Sequence, residues 1–165
     1  MQIELKKLEK YIDIYDIFRI LKKENNKKIA FLDSSLKNKY GRYSIIGIDP
    51  YLELKENNKK FYINDVLSEE NFEEYLAKFL KENKQENDSL LPLISGGIVY
   101  FSYDYGRKFE NIATRHKKDL DIPEAIVTFY KTYIVEDIEK QEVYISYQDK
   151  KDYDNLVNLL EKTNL

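Results

Sequence analysis

Residues 124 to 148, "EAIVTFYKTYIVEDIEKQEVYISYQ", alternate apolar and polar side chains on both sides of a short polar turn at "DIEKQ". Period-two alternation turns one face of each run toward a core. A connection this short joins antiparallel neighbours, because a parallel return needs a crossover of a dozen residues or more. The pair therefore commits the chain to an antiparallel sheet. "GRYSIIGIDPYLELKENNKKFYIND" repeats the pattern, with β-rich runs flanking a hairpin loop at "ENNKK". Pro50 interrupts the first of these runs, so a break or bulge is expected there. "KIAFLDSS" reads as a buried strand ending in a small polar cluster.

Three segments carry helical spacing instead. In "DIYDIFRILKK", Ile14, Ile17, Phe18 and Leu21 fall at i, i+3, i+4 and i+7, with Asp13 placed to cap the start. In "SEENFEEYLAKFLKENK", Phe72, Tyr75, Leu76, Phe79 and Leu80 form one stripe, and Ser68 followed by glutamates marks the start. Near the end, Tyr153, Leu156, Val157 and Leu160 mark a third amphipathic helix. Hairpins outnumber crossover units, so the expected class is α+β, a mainly antiparallel sheet with helices packed on it.

A length of 165 residues with 42% hydrophobic and 35% charged side chains suits one soluble domain with a single core. The chain has no apolar run of membrane-spanning length, and "MQIELKKLEKY" lacks a signal-peptide core, so no membrane role and a cytoplasmic location are expected. Cysteine is absent, which removes thiolate chemistry and disulfides. The net charge is −3 with scattered lysines, so the 15 tyrosines have no basic groove beside them for nucleic acid.

Gly96 and Gly97 precede the strand "IVYFSY" rather than following a strand and opening a helix, so they do not form a phosphate cradle. Close backbone packing at the start of a central strand is the expectation. Asp104, Glu110, Asp119 and Asp121 have no spacing that fixes them on one face, and His116 sits in the solvated run "TRHKKD". With one histidine and no cysteine, no nucleophile–base pair stands out. Asp33, Ser34 and Arg42 flank a short loop between strands. They suit either a zwitterionic ligand, with Asp33 for an ammonium, Arg42 for a carboxylate and Ser34 as donor or acceptor, or a surface turn with an internal Asp–Arg pair.

Two stretches together resemble the N-terminal domain of the chorismate-utilising component I enzymes, anthranilate synthase and aminodeoxychorismate synthase. The first is Phe31-Leu32-Asp33-Ser34 followed by Gly41-Arg42-Tyr43-Ser44-Ile45-Ile46-Gly47 and Pro50; the second runs from Pro92 through Gly96-Gly97 and Tyr103-Asp104 to Phe109-Glu110. Tyr100 departs from the family, which often has glycine there. "FSYDYGRKFE" and "LDIPEAIVTFYKTYIVED" look more like the aminodeoxychorismate branch, which leads to folate.

The resemblance implies that catalysis, chorismate binding and Mg²⁺ belong to a C-terminal domain outside these 165 residues, so this chain alone is expected to be inactive and without a cofactor. It implies a glutamine amidotransferase partner that supplies ammonia. It also implies a tryptophan-type site bordered by Asp33, Ser34 and Arg42. Two other readings stay open: a free-standing amino-acid-binding module, and a domain whose tyrosine-rich strands dock a partner.

Overall fold

The computed structural model describes residues 3–24, 28–36, 40–110 and 121–162. Its elements are β1 (Glu4–Lys7), α1 (Ile14–Glu24), β2 (Ala30–Leu32), β3 (Tyr43–Asn57), β4 (Lys60–Ile63), β5 (Val66–Ser68), α2 (Phe72–Glu82), β6 (Gly97–Phe101), a 3₁₀ helix (Tyr103–Lys108), β7 (Ala125–Asp137), β8 (Glu142–Tyr147) and α3 (Lys150–Lys162). The fold is α+β. Among the described residues, eight strands form one sheet in the order β1-β8-β7-β3-β4-β5, with β2 paired to β3 and β6 paired to β7. Among the described residues, no helix is long and apolar enough to cross a membrane.

The chain divides into two compact units, 1–50 with 85–96 and 130–165, and 51–84 with 97–129. Length alone suggested a single core; each unit has its own. The long strands β3 and β7 account for this, because each carries enough apolar side chains to supply both.

In the first unit, Ile14, Ile17, Ile20 and Leu21 of α1 and Leu156 and Leu160 of α3 are buried with Ile46, Ile48, Ile134 and Ile145. Asp13 starts α1 as expected: its carboxylate accepts from the Tyr15 amide at 2.8 Å and its carbonyl from the Ile17 amide at 3.1 Å. The β7–β8 hairpin forms in the expected register, from Thr132 opposite Tyr147 to Asp137 opposite Glu142. β1 has no apolar periodicity and escapes a pattern reading, yet it pairs with β8 over four residues. β2 is short and Leu32 is 51% exposed, so it is not the buried strand expected. Among the described residues it pairs only with β3, and an edge position leaves the side chains at its end uncovered.

The expected interruption at Pro50 takes a mild form. β3 runs through it unbroken, and the distortion is at Asp49, whose φ of 56° lies in the left-handed region.

In the second unit, β3 and β4 meet at a two-residue turn, Asn58–Lys59, with φ of 52° and 60°; positive φ at both central residues matches the strands' twist. A second such turn at Asn64–Asp65 leads into β5, whose last residue, Ser68, is the expected helix start. Ser68 therefore ends a strand. The cap of α2 is Asn71, whose side chain accepts from the Glu74 amide at 3.0 Å. Phe72 is buried, and Tyr75, Leu76 and Phe79 pack on the same core, but Leu80 is 47% exposed.

β6 is an edge strand, not a central one: among the described residues it pairs only with β7. The glycine beginning it is steric. A Cβ on Gly97 would lie 2.9 Å from Val127 Cγ1 and 3.2 Å from the Phe129 ring, inside contact distance. A 3₁₀ helix follows one residue after β6, capped by Ser102, where no helix was expected.

Candidate functional site

The loop that leaves β2 and returns as β3 carries Asp33, Ser34 and Arg42. Ser34 clips this loop to the next strand: its amide donates to Ser44 Oγ at 3.0 Å and its hydroxyl donates to the Tyr43 carbonyl at 2.6 Å. Gly41 is required there because a Cβ would stand 2.1 Å from the Leu36 carbonyl oxygen. Asp33 is exposed at the end of β2.

Arg42 is the best-anchored of the three. Its Nε donates to Asp137 Oδ1 at 3.0 Å and its Nη2 to Oδ2 at 2.6 Å, a bidentate fork at the end of β7. Glu139 Oε2 lies 3.4 Å from Nε, and the guanidinium stands 5.0 Å from the Tyr43 ring centre. Asp137 is 2% exposed and also accepts from the Lys140 amide at 3.3 Å. Hydrogen bonds from Arg42 hold the Asp137 carboxyl below its ordinary range despite burial, and the same bonds push the Arg42 guanidinium up. An internal Asp–Arg pair is therefore present, but its carboxylate is Asp137, 95 residues away, rather than Asp33.

The other acidic candidates disperse. Asp104 pairs with Arg107 at 3.1 Å within its own turn, and Asp121 accepts from Asn57 Nδ2 at 2.9 Å. Glu110 is exposed, while Asp119 and His116 lie outside the described residues. Among the described residues, no group of three or more His, Asp or Glu side chains could hold a metal ion.

Sequence reasoning missed a second ionic cluster, in the 51–84/97–129 unit. Lys108 Nζ lies 2.7 Å from both Glu56 Oε2 and Glu73 Oε1, and Tyr105 Oη donates to Glu73 Oε1 at 2.8 Å. Glu56 is 6% exposed. Burial pushes the Glu73 carboxyl up, but hydrogen bonds from Lys108 and Tyr105 outweigh it and hold it below its ordinary value. Burial also lowers the Lys108 ammonium, and its two carboxylate partners more than reverse that. One ammonium is shared by two carboxylates, which leaves the trio with a net charge of −1. The cluster ties the 3₁₀ helix to β3 and α2, and nothing in it resembles a poised acid or base.

No family model matches the chain. Anthranilate synthase component 1 of Acetivibrio thermocellus is 30% identical over 146 residues, covering 84% of this chain and 30% of that protein. Aminodeoxychorismate synthase component 1 of Klebsiella aerogenes is 35% identical over 60 residues, 36% of this chain and 13% of that protein. Its homologues are the component 1 synthases. A third, anthranilate synthase component 1 of Bacillus subtilis, is 28% identical over 114 residues. The crystal structure of anthranilate synthase component I from Streptococcus pneumoniae aligns with a TM-score of 0.63 at 20% identity, over 88% of this chain and 34% of that one. That likeness shows a shared fold. The chain spans about a third or less of the component 1 proteins it matches.

Proposed function

We propose that this chain is the N-terminal, non-catalytic portion of a component 1 enzyme that aminates chorismate. The observation that carries this reading is the extent of the match: 84% of the chain aligns to 30% of an anthranilate synthase component 1. The charged residues support a scaffold role, since Arg42 is bound to Asp137 and, separately, Lys108 to Glu56 and Glu73. In this proposal Mg²⁺ and the acid–base residues belong to the chorismate-binding domain, and ammonia comes from a glutamine amidotransferase subunit.

The branch we favour is aminodeoxychorismate formation, on the resemblance of "FSYDYGRKFE" and "LDIPEAIVTFYKTYIVED" to that branch. The longer match to anthranilate synthase supports the tryptophan branch as the second reading. The complete enzyme, given chorismate, Mg²⁺ and ammonium, is expected to yield aminodeoxychorismate without pyruvate. Anthranilate with stoichiometric pyruvate would select the second reading. Turnover by the isolated chain would overturn the division of labour itself.

The same proposal places a tryptophan-type amino-acid site beside Asp33, Ser34 and Arg42. Asp33 offers an exposed carboxylate to an ammonium, Ser34 an acceptor oxygen, and Arg42 the rim of a guanidinium already held in place by Asp137. Loss of a charge-assisted hydrogen bond costs about 1.5–3 kcal/mol, so Asp33→Ala should weaken tryptophan binding to the complete enzyme roughly ten-fold or more by calorimetry. Equal affinity in the variant would remove Asp33 from the site.

A further inference from the structure

We infer that the outer side of β6, continued by the 3₁₀ helix after it, is the surface on which the catalytic portion of a component 1 enzyme docks; this rests on the reading just proposed. Val99 and Phe101 lie opposite Val127 and Ala125 in the β6–β7 register, and directly opposed residues share a face. On β7 that face is closed, with Ala125 and Val127 at 0% and 1% exposure. One strand further out it is open, with Val99 at 54% and Phe101 at 45%. An apolar face thus continues past the elements of this unit that cover it.

The strand also lacks the usual protection of an edge. Edge strands in free-standing sheets commonly carry charges that discourage further pairing. β1 follows this rule with Glu4, Lys6 and Lys7, whereas β6 reads Gly-Ile-Val-Tyr-Phe with no charge at all. Tyr103 and Phe109, at 92% and 66% exposure, extend the open aromatic surface immediately beyond it. The charges between them are paired, Asp104 with Arg107 at 3.1 Å, and exposed aromatic-rich surface of this kind marks an interface. The component 1 relatives supply the occupant, since about two thirds or more of their length lies outside the match to this chain.

Hydrogen exchange on the 165-residue chain alone and on the complete enzyme tests this. The β6 amides not bonded to β7, and those of residues 103–109, should exchange at least ten-fold more slowly in the complete enzyme. Val99→Glu combined with Phe101→Glu should remove that protection, with Leu90→Glu, at an exposed leucine outside β6, leaving it intact. Val99→Lys alone, at a residue already 54% exposed and on the same face, gives the same readout if the double variant does not fold. Equal exchange in the two samples would overturn the inference. So would concentration-dependent protection in the chain alone, which would make a second copy the occupant. Amination by an enzyme whose β6 stays unprotected defeats only the docking surface; protection without amination defeats only the assigned reaction.

Discussion

Phe72→Ala should cost about 3–5 kcal/mol of stability, the range for removing a fully buried aromatic ring whose surroundings relax only in part. Phe72 is 1% exposed and meets the Phe61 ring edge-on at 5.5 Å and the Tyr105 ring at 6.2 Å. It is the first residue of α2, immediately after the Asn71 cap, so its ring fixes where the helix meets β4 and the 3₁₀ helix. A domain of ordinary stability holds only about 5–15 kcal/mol, so the loss is a large fraction of the whole. Urea unfolding followed by circular dichroism should show a lower midpoint with an unchanged slope, and Phe72→Leu should recover part of the loss. A midpoint shift worth less than about 1 kcal/mol would mean that α2 contributes little to that core.

Lys108→Met should be the second largest effect, at roughly 1–3 kcal/mol. The substitution keeps most of the apolar stem and removes the cation that neutralises the buried Glu56 and the half-buried Glu73. Severing a wholly buried pair costs about 3–5 kcal/mol, and the Lys108 side chain, 36% exposed, lets water replace part of the interaction. Its pH signature separates it from a packing defect.

Glu73 titrates below its ordinary 4.5 in the folded chain, so its contribution is complete above that value and is lost as pH falls through the depressed folded value. Lys108 titrates above its ordinary 10.5, so its share is complete below that value and is lost as pH rises past it. The difference in stability between parent and variant should therefore be flat from about pH 5 to 10 and shrink at both ends. A difference that stays constant outside that window would show that Lys108 acts through its stem alone.

The helices and hairpins could be read from the sequence because their signals are local. Ile14, Ile17 and Leu21 mark α1, Tyr153, Leu156 and Leu160 mark α3, and the alternation on either side of "DIEKQ" marks the β7–β8 hairpin. Where a local signal met a stronger neighbour, the neighbour decided. Ser68 is the cap that the sequence suggests for α2, but the Asn64–Asp65 turn draws it into a strand, and the Asn71 side chain accepts from the Glu74 amide in its place.

Of the candidate site, the sequence showed that Asp33, Ser34 and Arg42 flank one loop. It could not show that Ser34 closes back on Tyr43 and Ser44, or that Arg42 is held by Asp137. Both outcomes depend on which strand lies beside which.

By itself, then, the sequence determined the α+β class, the three helices, the antiparallel hairpins and the likeness to component 1 synthases, because periodicity and short motifs encode which face of each element is apolar. Tertiary structure alone decided what lies against those faces. It made β6 an edge strand, recruited the polar β1 beside β8, split the core between two units, and chose the partners of Arg42 and Lys108 across separations of 95 and 52 residues. Such pairings are fixed by sheet order and register, properties of the whole chain that no local window contains.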